Sequence, residues 1–79
     1  MMIYIDTRFS MSENKFSKVA GVSRPSVEFW RGKGMPYIVF GNIIIDLREA
    51  YDWLLKNGYH GEYLQRIKAE IERRERSNE

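Results

Sequence analysis

Apolar residues fall in short groups along this chain, and the spacing within each group predicts an element. Residues 3–5, "IYI", alternate like a short strand, and Asp6-Thr7-Arg8 reads as a turn. "SMSENKFSKVA" then offers a helix: Phe16, Val19 and Ala20 share one face at i, i+3 and i+4. Ser12 is a suitable N-cap for it, and Glu13 suits the positive helix end. Gly21 stops that helix, because glycine takes the left-handed conformation without steric cost. In "GVSRPSVEFWRGKGMP", Ser23 is the next N-cap. Pro25 marks a helix start rather than a stop, since N–H groups in the first turn have no intrahelical partner to lose. Val27 and Trp30 share the inward face, and Gly32, Gly34 and Pro36 end the element.

"YIVFGNIIID" reads as a hairpin, with β-branched runs flanking Gly41-Asn42, a pair suited to a tight two-residue turn with positive φ. Asp46 caps a third helix, and Glu49 three residues later completes a capping-box pattern. Leu47, Ala50, Tyr51 and Leu54 form the stripe of that helix, Trp53 and Leu55 its shoulder, and Asn57-Gly58 its end. "YHGEYL" is a joint, and "EYLQRIKAEIERRERSNE" a fourth helix with Leu64, Ile67 and Ile71 on one face. So short a stripe does not make a stable coiled coil alone. It either packs back on the domain or meets a second copy, which makes Leu64, Ile67 and Ile71 the oligomerisation candidates.

The first two helices and the tight turn between them meet the demands of a helix-turn-helix. Phe16 is the apolar residue of the first helix, and Ser17 is small enough for a close crossing. Gly21 tolerates an unusual φ, Val22 plugs the turn, Ser23 caps, and Val27 and Trp30 face inward. The expected fold is therefore mainly α with a small β-hairpin.

Composition narrows the function classes. Seventy-nine residues with 43% hydrophobic and 14% aromatic content describe one small globular domain. The chain has no cysteine, which excludes disulfides and thiolate metal sites and suits a reducing interior. No basic region precedes a long apolar run, and no segment reaches the ~18 apolar residues of a membrane span. Residues 1–36 carry six Lys/Arg against three Asp/Glu, whereas residues 37–61 are net −1 and residues 62–79 net zero. The positive excess thus surrounds the two short helices, as an anionic partner approaching one side requires.

The order of these pieces resembles the MerR-like winged helix-turn-helix family, shared by small phage excisionases, regulators and the DNA-binding part of phage terminase small subunits. The resemblance covers residues 12–57. It rests on Phe16, Gly21-Val22-Ser23, Val27 and Trp30, Gly34-Met35-Pro36, the Gly41-Asn42 hairpin, and the helix from Asp46 to Leu54. It implies a winged helix-turn-helix in residues 1–58, ordered helix-turn-helix, wing, helix. Residues 59–79 follow as a charged C-terminal helix and possible oligomerisation element.

The resemblance also implies that the second helix enters the major groove while the wing touches backbone or minor groove. On a helical wheel Pro25, Glu28, Phe29 and Gly32 point outward, with Arg24, Ser26, Arg31 and Lys33 on the flanks. Arg24 is the best candidate for a base contact, since a guanidinium bonds two acceptors of guanine. Ser26 and Glu28 suit base edges, and Phe29 suits a thymine methyl. Lys15, Lys18, Arg31 and Lys33 suit phosphates. Ser23, Pro25, Gly41 and Asn42 complete the DNA-facing set. With no cation at the hairpin tip, the wing meets DNA through backbone N–H groups, or its apolar face meets another subunit.

The expected partners are double-stranded DNA and further copies of the chain, with no membrane, small-molecule substrate, cofactor or metal. The expected place is the cytoplasm of a bacterial host cell, on the nucleoid. No enzyme is expected: His60 is the only histidine and stands without a ligand set, and Gly32-Lys33-Gly34 is too short for a nucleotide fingerprint. Excision or transcription control leads, DNA packaging by a terminase small subunit is the alternative, and a protein-interaction module on the same fold is a third.

Overall fold

Ser12, Ser23 and Asp46 each have an extended backbone, and a helix begins immediately after each. The computed structural model describes residues 7–77. In chain order the elements are β1 (Ser10–Ser12), α1 (Glu13–Ala20), α2 (Arg24–Gly32), β2 (Ile38–Phe40), β3 (Asn42–Asp46), α3 (Leu47–Lys56) and α4 (Glu62–Arg76). Among the described residues the protein is mainly helical, with one small antiparallel sheet ordered β1-β3-β2. The strand expected at residues 3–5 lies outside them, as does Asp6.

The caps form because a short side-chain oxygen reaches donors that the helix itself leaves unpaired. Ser12 Oγ accepts from the Lys15 N–H at 3.2 Å and Ser23 Oγ from the Ser26 N–H at 3.3 Å. Asp46 Oδ1 accepts from the N–H groups of Arg48 and Glu49 at 2.8 and 3.1 Å. Gly21 closes α1 at φ 73°, donating its N–H to the Ser17 and Lys18 carbonyls. A methyl group at Gly21 would meet Arg66 Cδ and Nε at 2.9 Å, but that exposed side chain can swing away. The backbone conformation therefore sets the cost. Gly21→Ala is expected to lower stability by about 1–2 kcal/mol, read as a lower urea midpoint with unchanged slope.

One strand was not foreseen, and one local expectation needed correction. The strand β1 has only three residues, too few for a periodic signal, and it exists because β3 offers it a partner edge. Ser10, Met11 and Ser12 pair with Asp46, Ile45 and Ile44. The hairpin turn also differs from the two-residue form: Phe40 pairs directly with Asn42, so Gly41 alone turns the chain, at φ 76°, and Asn42 already belongs to β3. Side chains alternate from there, so Ile45 is wholly buried beside Met11 while Ile43 and Ile44 are half-buried on opposite faces.

The core gathers Phe16 and Ala20 of α1, Val27 and Trp30 of α2, Ile45 of β3, Leu47, Ala50 and Leu54 of α3, and Ile67 of α4. Phe9 is also fully buried, with the Arg48 guanidinium 4.0 Å from its ring centroid. Leu55, on the shoulder of the α3 stripe, is 48% exposed. The oligomerisation assignment of Leu64, Ile67 and Ile71 is corrected as well. Ile67 is wholly buried, and Leu64 and Ile71 pack against the same core, because α4 folds back over α1 and α3. The stripe meets its own chain.

The far end of α4 is pinned by charge. Glu70 accepts from Arg73 and from Arg74, the latter at 2.7 Å, and Arg74 Nη1 reaches the Arg8 carbonyl at 3.0 Å. The bonds from Arg73, reinforced by Arg74 and opposed by desolvation, hold the Glu70 carboxyl down to about 2 from an ordinary 4.5. A carboxyl depressed in the folded state adds stability above its unfolded value and loses it as pH falls through the folded value. Wild type is therefore expected to lose about 1 kcal/mol more than Glu70→Gln between pH 4.5 and 2, with the modest size set by exposed Arg73. Urea midpoints at both pH values check it.

Candidate functional site

The helix α2 is built to leave one face free. Val27 and Trp30 anchor it, and the Trp30 ring meets Tyr63 at 4.9 Å and Tyr59 edge-on at 6.1 Å between centroids. Trp53 stacks on Tyr59 in turn, at 5.5 Å. Burial raises the Tyr63 phenol above its ordinary value. These contacts hold α2 from behind. On the opposite side Pro25, Glu28, Phe29 and Gly32 are all exposed, and neither α4 nor the isoleucine strand covers them.

Two hollows flank this ridge. One is a cleft of about 460 Å³ bounded by Arg24, by Ser12, Glu13 and Asn14 at the start of α1, and by Val39, Gly41, Asn42 and Ile43 of the hairpin. The other is a groove of about 430 Å³ bounded by Val22, Pro25, Ser26, Phe29 and Trp30 with Tyr59 and Tyr63. The structure thus brings Arg24, Gly41 and Asn42 together on one flank and Pro25, Ser26 and Phe29 on the other. Lys33 holds its ammonium 5.3 Å from the Phe29 ring centroid. Lys15 and Lys18 are exposed on α1, outside both hollows. The Ser23 and Ser26 hydroxyls lie 3.0 Å apart and are engaged with each other and with the cap.

Glu13 is the residue that sequence reasoning read too simply. Its position at the first turn of α1 does suit the helix dipole, yet the side chain is only 4% exposed and binds two arginines. Arg24 Nε donates to Oε1 at 3.2 Å, and Arg31 Nε donates to Oε2. Arg24 and Arg31 are two helical turns apart and so share the flank of α2 that faces α1. That spacing was the available signal; which acid would meet it was not. Glu28 adds a longer ion pair to Arg24 at 3.8 Å.

This arrangement corrects the assignment of Arg31. Rather than standing free for a phosphate, it is 20% exposed, bonded to Glu13 and stacked 5.1 Å from the Tyr37 ring centroid. The bond to Glu13 raises its pKa above the ordinary guanidinium value, against the opposing effect of desolvation. Arg31 ties α2 to α1. Arg24, with its side chain 60% exposed, borders the cleft.

Charge at α2 is mixed: Glu13 and Glu28 pair with Arg24 and Arg31, while Lys33 is exposed just after the helix and Lys15 and Lys18 are exposed on α1. Among the described residues no group of three His, Cys, Asp or Glu side chains gathers to hold a metal, and no helix is long and apolar enough to cross a membrane. His60 is exposed in the connection before α4. Comparison of the chain with family models, curated proteins and solved structures finds no match.

Proposed function

We propose that this chain binds double-stranded DNA through α2, as a winged helix-turn-helix of the MerR-like kind, with the β2–β3 hairpin as the wing. The observation that carries the reading is the bare ridge of α2, held from behind by Trp30 and flanked by a hollow on each side. A helix with its side chains is about 10–12 Å across, and the major groove is about 12 Å wide. A ridge inserted there needs room on both flanks for the two phosphate backbones, and the two hollows supply it. Arg24 leads as the base contact, beside Glu28 and Phe29 on the crest. Lys15, Lys18 and Lys33 meet phosphates, and the Gly41-Asn42 tip meets the backbone beside Arg24.

An excisionase or transcriptional regulator of a phage or mobile element fits a single short reading helix acting on clustered sites. The DNA-recognition part of a terminase small subunit uses the same surface. Fluorescence anisotropy with a selected duplex and an unrelated one tests the common claim. Arg24→Ala is expected to weaken the selected duplex by about 1–3 kcal/mol and the unrelated one little. Lys18→Ala should weaken both alike and reduce the salt slope by about one. Absence of duplex binding by the wild type at low salt would remove the proposal.

A second reading has its own observation. Val39 and Phe40 of the hairpin are 66% and 72% exposed, more than any large apolar residue on α2. A protein-interaction module gripping through this hairpin would bind with little salt dependence and would not respond to Arg24→Ala. The same titration separates the two.

A further inference from the structure

We propose that Glu13 is a positioning residue for DNA reading: it holds Arg24 in the extended form that meets a guanine. The inference rests on α2 being the DNA-contacting helix. Its ground is the geometry of one buried carboxylate shared by two arginines of that helix. Glu13 gives Oε1 to Arg24 Nε and Oε2 to Arg31 Nε. A guanidinium has five N–H donors, and the bond to Glu13 takes only the one at Nε. The four on the two terminal nitrogens remain, and these form the end-on fork that matches the O6 and N7 acceptors of guanine. Arg24 is the exposed member of the pair and borders the cleft, whereas Arg31 is largely covered. The two arginines therefore divide the work: Arg31 neutralises and fixes the carboxylate, and the carboxylate fixes Arg24.

A freely rotating arginine loses its rotamer freedom on binding, and one already held does not. That saving applies only where the fork meets its base, so the clamp raises selectivity. It also lowers attraction to DNA in general, since it places a negative charge beside the phosphates. A carboxylate that merely braced α1 against α2 would lower general attraction in the same way but would not raise selectivity.

The test compares wild type with Glu13→Gln in the full chain, on the duplex selected by wild type from a randomised pool and on an unrelated duplex at equal salt. Dissociation constants are corrected for the folded fraction by circular dichroism. The expected result is about a tenfold weaker grip on the selected duplex, with the unrelated duplex bound equally or more tightly. A change by the same factor on both duplexes, or on neither, overturns the proposal. If wild type binds no duplex, the reading of α2 falls and takes this inference with it; if wild type selects a site and Glu13→Gln keeps the same ratio, only this inference falls. Should Glu13→Gln not fold, the wild-type Arg24 Nε–H resonance decides. It is expected to stay protected from water before and after duplex is added, and its loss on binding overturns the clamp.

Discussion

A chain cut after Gly58 is expected to lose its cooperative thermal transition and to behave as an unfolded polypeptide by circular dichroism. The cut removes Ile67, wholly buried, together with Tyr59 and Tyr63, which lie against Trp30. Each large buried side chain removed from a core costs about 2–5 kcal/mol, and the whole stability of a small domain is about 5–15 kcal/mol. Losing all of them together with the rest of α4 exceeds what so short a chain holds in reserve. The single change Ile67→Ala gives the graded form of the same prediction: about 2–5 kcal/mol lost, with no dependence of the melting temperature on protein concentration. A stripe that worked by joining two copies would behave oppositely, since its melting point would rise with concentration. The C-terminal segment thus supports α2 from behind: without it Trp30 would lose the rings of Tyr59 and Tyr63.

Arg31→Ala is expected to be the most damaging change on the flank of α2, costing about 2–4 kcal/mol of stability. It leaves the Glu13 carboxylate, 4% exposed, with Arg24 as its remaining guanidinium partner among the described residues, and a buried charge stripped of a partner is costly. Tyr37 also loses the cation over its ring. Arg24→Ala removes the more exposed arm and is expected to cost under about 1 kcal/mol of stability. Urea denaturation of both variants, beside the binding titration, gives a crossed outcome: Arg31→Ala lowers the midpoint, and Arg24→Ala lowers affinity for the selected duplex. Equal effects of the two variants on both measurements would mean that the arginines are not divided in this way.

Much of the local structure was legible because it depends on near neighbours. Ser12, Ser23 and Asp46 cap helices wherever they precede a helical run, and Pro25 fits only at a helix start. Gly21 and Gly41 announce themselves because few other residues adopt positive φ. The inward assignment of Phe16, Val27, Trp30, Leu47 and Leu54 follows from helical spacing, and all five are buried. Periodicity could not reveal β1, since a three-residue strand has no period and is defined by its partner. Nor could it show that Gly41 alone makes the hairpin turn, because "FGN" admits more than one register until the strands pair.

The candidate surface divides in the same way. That Pro25, Glu28 and Phe29 lie off the side of α2 that carries Val27 and Trp30 is a property of a nine-residue helix and holds in any fold that buries those two. Which cation is free and which is occupied depends on groups far apart in the chain. Arg31 meets Glu13 across eighteen positions, and Ile67 reaches the core from the last helix. Short-range chemistry settles where the backbone turns and which face of each helix is apolar, since those preferences are satisfied within a few residues. Partner choice among charges, and the fate of the final apolar stripe, are settled only on packing, when the space left by one helix is filled by another.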